Sequence, residues 1–230
     1  MPPDRSKLFT CVKSCERDAL NGANQAIRDT WGREYTVFFL GRTNIPLQAD
    51  ECSFDCPDDY DSLPLKTRKI AALFSNSPYS HIYLADTDTF VMPERLLACG
   101  FEKYDYLGLF GDGYNSEGHF DHKISGPWDR KAPDMMMHDV YPWASGGHGY
   151  FLSRQAMKLV ASTEPMHWAE DFCVGQILGP AIEAGLLTSY NHPHFNHFVV
   201  EHYSATGQNK QYSPDWMRDR FREGLPCPPQ

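Results

Sequence analysis

The chain has 230 residues, 41% of them hydrophobic, and a formal net charge of −9 at pH 7. That length supports one large domain or two small ones with a real core. The acidic balance argues against nucleic acid as the main partner, and no apolar run approaches the ~18 residues of a membrane span.

The stretch Met1–Lys7 lacks the apolar core of a signal peptide, so the chain reads as soluble and cytoplasmic. Leu8–Val12 reads as a first strand. Ala19–Trp31 carries Ala23, Ala26, Ile27 and Trp31 at helical spacing, with Gly32 placed to stop it. Thr36–Leu40 lacks polar alternation after its first residue, as in a strand covered on both faces. Ser62 is placed to cap a helix carrying Leu65, Ile70, Leu73 and Phe74. Strand His81–Ala85 follows, then a short helix after Pro93 and a strand over Tyr104–Leu109. The alternation predicts an α/β fold: a mostly parallel central sheet flanked by helices on both faces.

Gly111–Trp143 breaks the pattern. It is rich in Gly, Pro, Asp and His, and reads as a long loop of the lid or binding kind. Met135, Met136 and Met137 inside it are a candidate acceptor wall, with ordinary packing as the alternative. Beyond it come a strand at Gly149–Leu152, helices near Arg154–Ser162 and Asp171–Ala184, and an amphipathic segment at Pro214–Phe221. Neither an internal repeat nor a linker interrupts the chain, so 1–230 reads as a single domain. Cys11/Cys15 and Cys52/Cys56 are each separated by three residues. Structural zinc sites commonly space such pairs by two, so buried or incidental thiols are expected.

Residues 81–91 carry the most chemistry. An apolar strand ends in Asp86-Thr87-Asp88. Two carboxylates one residue apart at the exit of a buried strand are costly to hold together unless a cation joins them. Hard oxygen ligands suit Mg²⁺ or Mn²⁺, which often bridge carboxylates to a diphosphate. The alternative is a surface turn with two solvated acids.

Five segments, in order, resemble one family. Gln25–Gly32 looks like the "AIRxTWG" segment of the β-1,3-galactosyltransferase and Fringe-like group, glycosyltransferase family 31. Asp58–Thr67 is similar to its "D-x-Y-x-N-L-x-L-K-T", and Asp86–Val91 to its "DDDxFV", with Thr87 at the middle acid. Tyr141–Ser153 is similar to "YPxYxSGGGYxLS", and Glu170–Gly175 to "EDVxVG". The resemblance spans roughly residues 8–200. It implies a single GT-A (Rossmann-like) domain, a UDP-sugar donor, a divalent metal (Mn²⁺ or Mg²⁺), a glycan or glycoprotein acceptor, and inversion at the anomeric carbon. The chain is shorter than the eukaryotic enzymes and has an extra Pro/His-rich middle loop, which fits a small viral or bacterial relative in a cytoplasmic setting.

Within that reading each residue takes a role. Asp86 and Asp88 hold a metal–diphosphate, with Thr87 between them. Asp171, at the start of a helix, is the candidate base. The helix N-terminus favours its ionised form and neighbouring Glu170 raises its pKa; a helix N-terminal acid without chemistry is the alternative, and Glu170 and Asp139 are the next candidates. Gly146 and Gly147 permit close backbone approach to the donor; a simple turn before a strand is the alternative. Arg28, Asp59 and Lys66 are assigned to donor binding, with Arg28 and Lys66 neutralising diphosphate charge; a solvated helix-face arginine is the alternative for Arg28. The resemblance also implies a late histidine as a metal ligand. His194, His197 and His202 are candidates, with His197 preferred; a surface or otherwise satisfied histidine is the alternative for each. Two rival functions share Asp86 and Asp88: a haloacid-dehalogenase-like phosphatase, and a non-catalytic sugar- or nucleotide-binding relative.

Overall fold

The chain opens with β1 (Leu8–Lys13), two short helices α1 (Glu16–Leu20) and α2 (Ala23–Asp29), and strands β2 (Thr36–Leu40) and β3 (Glu51–Ser53). Next come α3 (Leu63–Phe74), β4 (His81–Asp86), β5 (Thr89–Val91), α4 (Pro93–Ala98) and β6 (Tyr106–Gly108). A hairpin of β7 (Ile124–Asp129) and β8 (Ala132–Val140) precedes β9 (Tyr150–Ser153), α5 (Arg154–Ser162), α6 (Glu170–Glu183), β10 (Ser189–Asn191), β11 (Val199–Glu201) and α7 (Pro214–Glu223). The computed structural model describes residues 5–32, 36–129, 131–197, 199–201 and 213–223.

Seven strands form one sheet in the order β10-β6-β9-β4-β1-β2-β3. All pairings are parallel except those of β9, which runs antiparallel to both β4 and β6. The expected mostly parallel sheet is therefore present, with one reversed strand. Side chains alternate across it, as the two-residue period of a strand requires. Val12, Phe38, Tyr83 and Phe151 join a core with Ile27 of α2, Leu96 of α4 and Met217 of α7. Their neighbours Cys11, Phe39, Leu84 and Leu152 join a second core with Ile70 of α3, Met157 of α5 and Leu178 of α6. Helices thus cover both faces, and the central strands are buried almost throughout.

Several local expectations are corrected. The single helix read over Ala19–Trp31 is two helices, because Gly22 adopts φ +90° between them. The second ends at Asp29, where the Thr30 hydroxyl bonds back to the Ala26 carbonyl at 2.7 Å. Ser62 precedes α3 without a side-chain capping bond. Its own N–H instead donates to Asp59, at 2.9 Å, in the preceding 3-10 turn. The stretch read as a loop over Gly111–Trp143 contains the β7–β8 hairpin. Met137 from that hairpin packs with Ala169 and Phe172, while Met136 is exposed. The six described cysteines are free thiols.

Candidate active site

The parallel pairing of β1 and β4 puts Lys13 directly opposite Asp86 at the C-terminal end of the sheet, the edge where open α/β sheets place their ligands. A continuous cleft runs along that edge. Its first part, about 510 Å³, is lined by Lys13, Arg17, Asp18, Asp58, Asp59, Lys66 and the Asp86-Thr87-Asp88 turn. Its middle part, about 410 Å³, passes Asp86, Lys13, Glu170, Gly146, Gly147 and Asp171. The third part, about 390 Å³, lies on the far side of Asp171. Tyr60 lines all three.

Lys13 is the organising charge. Its ammonium is buried, 3.1 Å from Asp86 and 2.8 Å from Glu170. Burial alone would lower its pKa, but the two carboxylates outweigh that and hold it above its ordinary value. Glu170 also accepts from the Thr67 hydroxyl at 2.9 Å and from the Tyr150 hydroxyl. Burial pushes the Asp86 carboxyl up to about 6, against the pull of Lys13 and with the help of Glu170 and Asp171. Lys13 is absent from the candidates drawn from the sequence. The available signal was an apolar strand that ends on a lysine.

The remaining donor-side candidates divide. Lys66 is buried in the cleft wall, bonded to the Ser14 carbonyl and 3.0 Å from Asp58. Asp58 also accepts from the Glu16 N–H at 2.6 Å and the Gly41 N–H at 2.5 Å. It therefore anchors three segments, a role the sequence reading passed over in favour of its neighbour. Asp59 lines the cleft and caps the turn before α3. The Thr87 hydroxyl donates to Asp18 at 2.7 Å, so a carboxylate from α1 lies beside the position of the missing middle acid. Arg28 is placed elsewhere. Its guanidinium forks onto Asp50 at 2.8 Å by two bonds, reaches Glu51 at 2.7 Å and lies over the Phe38 ring. The expectation that it neutralises a diphosphate gives way to a structural role, because its charge is already matched.

Asp171 opens α6 in the company of the glycine turn. Its Oδ2 accepts from the Gly146 N–H at 3.0 Å and its Oδ1 from the Phe172 N–H at 2.8 Å. Burial, then the charge of Glu170, raises its pKa, while those two donors pull it down. The turn is held by Ser145, whose N–H donates to the Leu109 carbonyl, and by Thr89, whose hydroxyl donates to the Gly147 carbonyl. Gly149 closes it at φ +72°. A Cβ there would sit 2.3 Å from the Leu84 carbonyl, so only glycine fits. Asp139 is exposed on the hairpin and does not line these parts of the cleft.

The residues present fit a divalent cation of the hydrated kind. The first part of the cleft carries five carboxylates against three cations, and all three cations, Lys13, Arg17 and Lys66, are already ion-paired. So acidic a surface repels a diphosphate unless a cation intervenes. Asp86 and Asp88 are hard oxygen donors of the type Mg²⁺ and Mn²⁺ use while keeping waters and substrate oxygens. Among the described residues no three His, Cys, Asp or Glu side chains converge in metal-holding geometry. In this arrangement His197 is not gathered with Asp86 and Asp88. Sheet register gives the reason: β11 pairs antiparallel with β5, setting Glu201 opposite Thr89, beside Asp88, and Val199 opposite Val91. His197 lies past the far end of that ladder and stacks on His194 at 5.0 Å. His202 lies outside the described residues.

A model of the galactosyltransferase family matches residues 23–182. No curated protein matches the chain. Among solved structures, the inositol-1-phosphate CTP transferase from T. maritima aligns with a TM-score of 0.47 at 11% identity, covering 98% of this chain and 100% of that one. A protein from STIV aligns with a TM-score of 0.38 at 13% identity, covering 80% of this chain and 79% of that one. Among the described residues no helix is long and apolar enough to cross a membrane.

Proposed function

This chain belongs to the galactosyltransferase family, and from that premise we propose that it transfers a sugar from a UDP-sugar to a hydroxyl of a glycan or glycoprotein acceptor, with inversion at the anomeric carbon. Membership makes it a glycosyltransferase rather than a phosphatase. The observation that carries the finer reading is the single cleft running from the Asp86-Thr87-Asp88 turn to Asp171. A donor seated on the turn presents its sugar toward the carboxylate that faces the acceptor.

Asp86 and Asp88 would hold Mn²⁺ or Mg²⁺, which when bound offsets the charge of the departing diphosphate. Lys13 fixes the carboxylate of Asp86 and ties it to Glu170 across the cleft floor. Gly146 and Gly147 let the donor approach backbone closely, and the Gly146 N–H orients Asp171. Each Asp171 oxygen uses one lone pair on a backbone donor and keeps another free. Asp171 therefore takes the proton of the acceptor hydroxyl as that oxygen attacks from the face opposite the leaving group. One displacement from that face inverts the anomeric centre.

The test mixes the protein with Mn²⁺, a panel of nucleotide sugars and glycan acceptors, and follows product by NMR. Asp171→Asn keeps shape and removes basicity. It should leave UDP affinity within about twofold and slow transfer by about 10²–10⁴. A near-parental rate in Asp171→Asn, or retention of anomeric configuration, refutes the mechanism.

A further inference from the structure

The third part of the cleft, beyond Asp171, has a distinct chemistry. Tyr60, Trp143 and Trp168 form its walls, and Asp112 and Asp171 are its charged groups. Among the described residues no Lys, Arg or His lines it. Trp143 packs edge-on against Phe172, and Trp168 lies against His167 and the exposed Tyr60. Rigid aromatic faces with scattered polar groups suit a flat, amphipathic ring that is apolar on its C–H face and hydroxylated at its edge.

Asp112 sharpens this. It is exposed on the loop after β6, and among the described residues nothing pairs with its carboxylate. Lys131, whose ammonium lies over the Trp168 ring at 4.7 Å, is already matched by Asp61 at 2.5 Å. Among the described residues that line it, a ligand bearing a carboxylate, sulfate or phosphate would meet two acids and no cation. Like charge set against a partner costs binding and is an effective way to reject it.

Resting on the glycosyltransferase reading, we propose that this part of the cleft takes an uncharged sugar as acceptor, and that Asp112 is the residue that excludes acidic ones. The neutral ring lies against the aromatic walls. The Asp112 carboxylate accepts from hydroxyls that an uncharged sugar carries, and it repels uronates and sulfated or phosphorylated sugars.

Matched methyl glycosides test this: galactoside against galacturonoside, and glucoside against glucuronoside. Binding is read by saturation-transfer NMR, with and without UDP and Mn²⁺, on the parent, Asp112→Asn and Asp112→Lys. Asp112 is exposed, so unchanged melting temperatures are expected and are checked first. The parent should bind each neutral glycoside at least tenfold more tightly than its uronate. Asp112→Asn should narrow that gap and Asp112→Lys should close or reverse it. Equal binding of both classes by the parent overturns the proposal. So does failure of every neutral glycoside to bind, or a gap that persists in Asp112→Lys. Loss of UDP binding in the parallel arm would strike the donor reading instead, while the glycosides measured without UDP still decide the charge preference.

Discussion

At the scale of single residues, the pair Glu170–Asp171 shows how adjacent acids take different roles. Glu170 is buried and fully engaged by Lys13, Thr67 and Tyr150, whereas Asp171 faces the cleft. Asp171 is held above the ordinary aspartate range of ~3.9 by burial and by the Glu170 charge. A base must be ionised, so kcat/KM should climb as pH rises through that raised pKa and fall below it. Glu170→Gln removes a charge that raises the Asp171 pKa, so the acid limb should move to lower pH. A pH profile of kcat/KM for the two proteins checks the direction, and a shift to higher pH contradicts it. The place of Asp171 at a helix start was legible in the sequence. Lys13 was not, because a lysine in a buried strand is recognisable only once the strand opposite supplies its carboxylate.

At the scale of elements, Arg28 shows where a motif misleads. It belongs to a segment resembling the family's pattern, yet it fastens α2 to β3 and the loop before it through Asp50 and Glu51. Arg28→Ala should lower stability by about 2 kcal/mol, the scale of charged hydrogen bonds lost from a partly buried site. UDP affinity in the folded protein should stay unchanged. Denaturant unfolding beside calorimetric titration separates the two. Weaker UDP binding at equal stability returns Arg28 to the donor site. The β7–β8 hairpin was hidden for a different reason. Its strands contain Gly126, Pro127 and Pro133, residues that argue against strand wherever a ladder needs every N–H and a full side-chain face. Among the described residues the hairpin pairs only with itself, so those positions are tolerated. The core strands were readable because burial on both faces left them almost wholly apolar.

At the scale of the molecule, the end of the cleft at the Asp86-Thr87-Asp88 turn concentrates acid. A ligand that brings its own cation should stabilise the whole fold through it. UDP with Mn²⁺ at a hundred times its dissociation constant adds about 2.7 kcal/mol, a readily measured rise in melting temperature. Asp88→Ala should abolish the Mn²⁺-dependent part of that rise, because the turn then offers a single carboxylate. An undiminished shift in Asp88→Ala would place the cation elsewhere. The sheet with helices on both faces was legible because strand–helix alternation dictates it. The reversal of β9 was not, since nothing in Tyr150–Ser153 distinguishes an antiparallel buried strand from a parallel one.

That reversal has a consequence for the order in which the chain is made. Among the described strands β6 pairs with β9 and β10 and with no other, and β9 alone joins β6 to β4. During synthesis β1, β2, β3 and β4 can assemble as soon as they emerge, carrying the Asp86-Thr87-Asp88 turn with them. β6 must wait, with both edges unpaired, until residues 150–153 arrive to insert beside it. A nascent chain paused before that point holds the Asp86-Thr87-Asp88 turn without Asp171, and leaves one edge of β4 and both edges of β6 unpaired. That interval is when the molecule most needs a chaperone and is most exposed to pairing with a neighbouring chain.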